Sequence, residues 1–539
     1  MHISGVVRKP IEWSFHAALS YANPFQDITL DVSISDDNGT KWIVPAFWAG
    51  GNEFRVRFSA PHTGNYTYES TCNSHHDSGL HAQTGTLHIS EYTGSNPLYI
   101  HGHIGVTPNG RYFQHEDGTP FPWLGDTWWM MYTSRLQYPE EFNRLVQDRV
   151  DKGFTVIQMV NGLFPDMPPY DRRGENEAGY SWMPDWSQIN PAYFDLADQK
   201  LEGLVDAGLV PCMTGAWGYY RRFMDLEQIK QHYRYMIARY GAYPVIWNLA
   251  GEVSMPWYQD FGRMPYGCYG SDWSDVLSYI KEIDPYHHLI STHEPTYASA
   301  LNTLDNPEEL DFLMWQGTHA DIRDEIYLGT QMTKQFYEVQ PPRPVVSSEA
   351  SYEGMLGGNG PDVQRMIFWH ALLNGAAGHT YGASGLWNFN TKEEPYGASP
   401  GGITWSEDIW RDSCLLPGAT QIGFSRKFLN RYEWWRLVPA EDKAEDHPKI
   451  EKFRRSVAAE IPGELIIYYF NVPYGRDALQ KARIFNLSAD DIYQVTVFDP
   501  IYDRTHDLGQ MKASADRILT VSVPTVHDWV VVLTKIHEI

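Results

Sequence analysis

The chain has 539 residues, of which 42% are hydrophobic and 20% charged, a balance that excludes a disordered or collagen-like polymer. Lys and Arg number 42 against 67 Asp and Glu, for a formal net charge of −25. That charge excludes the basic footprint that nucleic acids and anionic membranes require and otherwise serves solubility. The aromatic share, 14% of the chain, suits both a large ring-packed core and the stacking of flat rings on sugar faces.

The first element is a strand. Ile28-Thr29-Leu30-Asp31-Val32-Ser33-Ile34 alternates apolar and polar residues and ends at the hairpin signal Asp36-Asp37-Asn38-Gly39. Residues 41–47, 53–58, 66–72 and 85–90 repeat the pattern at short spacing, so residues 1–95 are expected to form an N-terminal Ig-like β-sandwich. Residues 96–435 then alternate apolar strand runs with helical stretches, the pattern of βα repeats. The strands are predicted at Phe121–Gly125, Thr155–Val160, Val210–Gly215, Val245–Leu249, Leu289–Thr292, Phe312–Trp315, Pro344–Ser348 and Gly378–Tyr381. Helices are predicted at 139–152, 193–207, 226–240 and 362–373. Eight such units predict an α/β fold, a closed (β/α)8 TIM barrel. Residues 436–539 return to strands, at 464–471, 493–498, 518–523 and 528–535, and are expected to form a C-terminal β-sandwich.

Four cysteines, Cys72, Cys212, Cys268 and Cys414, lie far apart with no CxxC pair, which argues against a zinc ribbon or thioredoxin-like site and for a reducing compartment. The N-terminus has no signal-peptide pattern, which leads to a cytoplasmic expectation. No apolar run approaches the ~18 residues of a membrane span. A homo-oligomer is compatible with the sequence.

In such a barrel the active site lies at the C-terminal ends of the strands. Those ends carry Asp126, Trp128 and Trp129 after strand 1, Asn161 after strand 2, Trp217 after strand 3, and Asn248 and Glu252 at strand 4. Strand 5 ends in His293 and Glu294, strand 6 in Trp315, Gln316 and His319, strand 7 in Glu349, and strand 8 in His379 and Tyr381 with Trp387 beyond. Acids and aromatics at one rim suit glycoside hydrolysis, which needs two carboxylic acids flanking the scissile bond. Glu252 and Glu349, on strands that lie across the mouth, are the natural pair, with Glu294 and Glu353 as rivals. Asp126 is expected either to accept a sugar hydroxyl or to cap the next helix. Two or three of Trp128, Trp129, Trp217, Trp315 and Trp387 are expected to line the pocket, with the rest in the core. His293, His319 and His379 are expected to bind hydroxyls; their alternative is a shared metal. The His75, His76, Asp77 and His81 cluster in the N-terminal region is expected to be a solvated loop.

A glutamate after strand 4 and another after strand 7 resemble clan A of the glycoside hydrolases. More narrowly, Leu124-Gly125-Asp126-Thr127-Trp128-Trp129 and Ile246-Trp247-Asn248-Leu249-Ala250-Gly251-Glu252, with the three-part layout, resemble the apiosidase-like glycoside hydrolases. The resemblance implies a retaining glycosidase without cofactor or metal, acting on a carbohydrate, with Glu252 as acid/base and Glu349 as nucleophile. The chain departs from the pattern in two places. Asn248 stands four residues ahead of Glu252 rather than beside it, and the turn reads Ala-Gly-Glu where Gly-Gly-Asp is common. The rival readings are a metal-dependent hydrolase on the same barrel and a non-catalytic carbohydrate-binding protein.

Overall fold

A computed structural model describes residues 2–319, 323–357, 359–445, 452, 455–471 and 481–536. The N-terminal strands form two antiparallel-rich sheets face to face. A five-stranded sheet (His2–Val6, Thr84–Ser90, Gly64–Cys72, Leu30–Asp36, Lys41–Pro45) covers a three-stranded one (Ile11–His16, Glu53–Phe58, Phe47–Gly50). The period-two pattern explains the packing: Leu30, Val32 and Ile34 point inward, while their neighbours are partly exposed. Gly39 takes a φ of +86° at the turn, and Asp36 Oδ1 accepts from the N–H groups of Asn38 and Thr40 at 3.0 and 2.8 Å. Asp77, expected in a solvated loop, is instead fully buried. It accepts from Ala18, Leu19 and Gly79 N–H groups and from the Tyr21 hydroxyl, so it ties loops together.

The central sheet has eight parallel strands: β1 (Trp123–Thr127), β2 (Val156–Val160), β3 (Val210–Trp217), β4 (Ile246–Gly251), β5 (Ile290–Ser291), β6 (Leu313–Gln316), β7 (Val345–Glu349) and β8 (Gly378–Tyr381). They run in the order 5-4-3-2-1-8-7-6. β1 starts at Trp123 rather than at Phe121 because Pro122 has no N–H for a ladder. Between β5 and β6 no ladder forms among the described residues. Asp311 N–H donates to Ile290 O at 2.9 Å, and the Ser291 hydroxyl donates to Phe312 O at 2.7 Å, so the two strands are stitched across the gap. Every residue of these strands is buried, which is why their sequences are apolar runs rather than alternations. Helices cover the outside. Leu226–Tyr240 opens with a capping box in which Asp225 accepts from Gln228 N–H at 2.8 Å and Gln228 Oε1 accepts from Asp225 N–H at 2.9 Å.

Buried ion pairs join the parts. Arg57 of the N-terminal sheets reaches Asp198 at 2.6 Å, and Arg239 reaches the same carboxylate at 2.8 Å. On the other side, Arg365 makes a two-pronged contact with Asp528 at 2.5 and 2.7 Å. The C-terminal region holds a six-stranded sheet (Val438–Pro439, Val457–Ile461, Leu465–Phe470, Trp529–Ile536, Ile492–Asp499, Arg504–Lys512) and a two-stranded one (Lys481–Ile484, Leu519–Ser522). The strand Arg504–Lys512 escapes sequence reading because it is an edge strand exposed along most of its length, with no apolar alternation. No helix of the described residues is long and apolar enough to cross a membrane.

Candidate active site

Glu252 follows the last residue of β4. Its neighbour Gly251 pairs with Trp217 at the end of β3. A Cβ on Gly251 would stand 2.1 Å from a Trp217 ring carbon, so only glycine lets the indole lie flat on the strand. From that seat Trp217 Nε1 donates to Glu252 Oε2 at 3.1 Å, while Gln316 Nε2 at the end of β6 donates to Oε1 at 3.4 Å. Glu252 itself holds a φ of +46°, a left-handed conformation that ordinary residues rarely adopt and that recurs at functional sites. Burial first, and then the charge of Glu349, push its carboxyl up to about 7.

Glu349 ends β7. Burial acts to raise its pKa, but His293 and His319 override it and hold the carboxylate down at about 2. His319 Nε2 lies 2.9 Å from Oε1, and His293 Nε2 makes a close contact with Oε2 at 3.2 Å. Burial opposes charge on His319, yet its bond to Glu349 leaves its pKa raised. The Tyr352 hydroxyl also bonds Glu349 and accepts from Trp129 Nε1 at 3.1 Å. Gln316 touches both Glu252 and, at 3.2 Å, His319, so one short chain of side chains links the two acids. One carboxyl of the pair favours its proton near neutrality while the other stays ionised, the division of labour that acid and nucleophile need.

Both glutamates line one cavity of about 590 Å³, together with Trp129, Trp217, Gln316, His319 and Trp387 from the set named by sequence. The remaining members of that set are not among its lining residues. Asp126 neither caps a helix nor faces the cavity. Its carboxylate takes the Arg149 guanidinium at 2.6 Å, the Trp128 indole N–H at 2.7 Å and the Thr127 N–H at 2.9 Å, and Arg149 is fully buried. Trp128 is thereby a core residue, as is Trp315, whose indole donates to the Thr333 hydroxyl at 3.0 Å. Tyr381 points to Glu353 at 2.5 Å; Glu353 also accepts from Gly418 N–H and is a brace within the fold. Asn248 accepts from His293 N–H at 2.9 Å and donates to the Thr214 hydroxyl at 2.8 Å, so it sets the backbone behind His293. Asn161 is buried beyond the end of β2. Glu294 accepts from the Ser254 hydroxyl at 2.8 Å, and burial, outweighing that bond, raises its carboxyl to about 7. His379 is buried with its Nδ1 3.1 Å from the Ser347 hydroxyl, and burial holds it at about 3. Among the described residues no group of three or more His, Cys, Asp or Glu side chains is arranged to hold a metal ion.

Several lining residues were invisible in the sequence. Asp166 sits in the loop after β2 with a φ of +55°, almost fully buried. Tyr258 donates to its carboxylate. Burial, with Glu349's charge assisting, raises Asp166 to about 6 against the pull of Tyr258, Arg173 and His319. Tyr258, Phe261, Tyr266, Tyr297, Tyr352 and Trp405 complete the aromatic lining among the described residues. All lie in loops past the strand ends, where no periodicity marks them; the one signal was their density in aromatics.

Residues 107–436 match the model of the family described as "Apiosidase-like, catalytic domain", and residues 8–73 match a domain of unknown function, DUF5060. No curated protein matches the chain. Among solved structures, a putative glycoside hydrolase from Bacteroides vulgatus ATCC 8482 is 17% identical with a TM-score of 0.69, covering 99% of this chain and 100% of that one. A glycoside hydrolase family 5 structure from the same organism is 20% identical with a TM-score of 0.65, over 82% and 95% of the respective chains. A third, described as a glycoside hydrolase, is 20% identical with a TM-score of 0.66, over 82% and 98%. At such identities these likenesses speak for the fold, and the family match spans more than half of the chain. With its catalytic barrel matched over that span, the chain belongs to the apiosidase-like glycoside hydrolases and is a glycosidase.

Proposed function

We propose that this glycosidase works by double displacement with retention, Glu252 serving as acid/base and Glu349 as nucleophile, on a glycoside or oligosaccharide derived from plant or microbial polysaccharide. The observation that carries the reading is the opposite proton preference of two carboxyls in one cavity, about 7 for Glu252 and about 2 for Glu349. In the first step Glu252 gives its proton to the glycosidic oxygen, and the bond to the anomeric carbon breaks. Glu349 supplies an electron pair to that carbon and becomes a glycosyl ester. The ester no longer carries the charge that helps raise Glu252, so the Glu252 carboxylate becomes the better resting state and takes a proton from the incoming water. That water displaces Glu349 and releases the sugar. Asp166, set between Tyr258 and the cavity, is suited to accept a sugar hydroxyl. His293 and His319 keep Glu349 ionised and oriented.

The test is stereochemical. Proton NMR of the anomeric signal in the first minutes of hydrolysis should show a product with the substrate's anomeric configuration. An inverted first product would reduce Glu349 to a general base, which in inverting enzymes sits roughly 6.5–9.5 Å from the acid.

A further inference from the structure

The wall of the cavity changes character from one acid to the other. Around Glu349 stand His293, His319 and Tyr352, polar side chains packed against its carboxylate. Around Glu252 the wall is aromatic and open. Segment 253–269, which follows the acid, forms a flap. Its base is closed by Gly267 N–H donating to Ser254 O at 2.6 Å, and its flanks are tied by Tyr258 to Asp166 and by the Arg222–Asp260 pair at 3.1 Å. The flap carries Phe261 and Tyr266, 43% and 60% exposed, with parallel rings 6.2 Å apart at 10°. Tyr297 and Ile403, on the loops after β5 and β8, line the same cavity and are 45% and 47% exposed. Large apolar side chains gathered at one mouth mark a ligand surface rather than scattered surface residues. Phe261 and Tyr266 lie on the segment that leaves β4 at Glu252 and line the cavity with it, and desolvation first and the Glu252 charge second push the Tyr266 hydroxyl up.

We propose that Phe261, Tyr266, Tyr297 and Ile403 form a leaving-group subsite for a flat, apolar aglycone, a phenol or fused-ring aromatic alcohol, in preference to a second sugar. The assignment rests on Glu252 being the acid, because the acid faces the departing group. A sugar in this place would need several hydrogen-bonding groups for its hydroxyls. Among the described residues, the side chains that line this rim carry no amide, ammonium or carboxylate; beside the hydroxyls of Tyr266, Tyr297, Thr296 and Ser399 they offer ring faces and aliphatic carbon. An aromatic alcohol presents a single oxygen, the glycosidic one, which Glu252 serves, and its remaining surface is a ring face of the kind that stacks on aromatics.

The test is a calorimetric titration of the Glu349→Gln protein with 2-naphthol, and separately with xylobiose and cellobiose, repeated in a background carrying Phe261→Ala and Tyr266→Ala. Saturable 2-naphthol binding that weakens about tenfold or more in the double-alanine protein, at unchanged melting temperature, is the expected result. Absence of saturable 2-naphthol binding overturns the proposal, as does binding indifferent to the two alanines. A disaccharide whose affinity falls about tenfold while that of 2-naphthol does not also overturns it. Azide rescue of Glu252→Ala, described below, separates the two readings. Azide product without a naphthol site removes the aglycone assignment alone, whereas a naphthol site without azide product removes its placement on the leaving-group side.

Discussion

Replacing Glu349 by Gln should lower the pKa of Glu252, and the size of the drop follows from the causes that raise it. An ordinary glutamate titrates at about 4.3, and each pKa unit is 1.36 kcal/mol. Keeping the Glu252 proton to about 7 therefore reflects ~3.7 kcal/mol against the charged form, an upper figure because water enters the cavity. Burial is the larger cause and survives the substitution. The Glu349 charge is the second. At the roughly 5.5 Å spacing of a retaining pair and an effective dielectric near 20 it contributes at most ~3 kcal/mol. Solvent in the cavity trims this further, so the Glu252 midpoint should fall by about one to two pKa units and remain above ~4.3. The assay is a carbon-13 NMR titration of protein labelled at the glutamate carboxyl, with the resonance identified by its loss in Glu252→Gln. The same midpoint in wild type and Glu349→Gln would refute the claim that the two carboxyls share one electrostatic site. A wild-type midpoint near ~4.3 would refute the burial argument. The sign for catalysis follows. The first step needs Glu252 protonated, so kcat/KM of the wild type should decline as pH rises through about 7. Glu349, held near 2, stays ionised far into acid, so the acidic limb lies well below the alkaline one.

Two further outcomes test the roles of individual acids. In Glu252→Ala a dinitrophenyl glycoside, whose leaving group needs little protonation, should still react in the first step and stall in the second; added azide should then yield a glycosyl azide of retained configuration, and its absence, with all substrates slowed alike, would move the acid role to Asp166, the third carboxyl lining the cavity among the described residues. Asp126→Asn should lower stability by ~3 kcal/mol, read as a fall in melting temperature, because it deprives the buried Arg149 guanidinium of its one fully buried counter-charge among the described residues, leaving the partly exposed Asp148. Its KM should be unchanged, and an unchanged melting temperature with a raised KM would instead make Asp126 a sugar-binding residue.

How much was legible in the sequence depended on how local the physics was. The strands that build the barrel were readable because a strand buried on both faces must be an apolar run, whether Thr155–Val160 by expectation or Val156–Val160 in the structure. The helix Leu226–Tyr240 was readable because its apolar stripe and its cap are both encoded within a few residues. The rim position of Glu252 and Glu349 followed from those strands, since a barrel presents its strand ends at one mouth. What a side chain meets across that mouth was not local. Asp126 and Glu349 stand at equivalent strand ends, yet a buried arginine from the following helix claims one and two histidines from the loops after β5 and β6 claim the other. Trp128 and Trp129 are sequence neighbours, yet one turns to Asp126 and the other to Tyr352, because adjacent residues leaving a strand point in different directions. Asp166 and the Phe261–Tyr266 pair come from loops whose course is set by contacts distant in sequence, such as Tyr258 with Asp166. The residue types at the mouth were therefore determined by the sequence, while proton affinity and access belonged to the tertiary structure, because burial and the nearest opposite charge, which set a pKa, are properties of packed neighbours and not of a position along the chain.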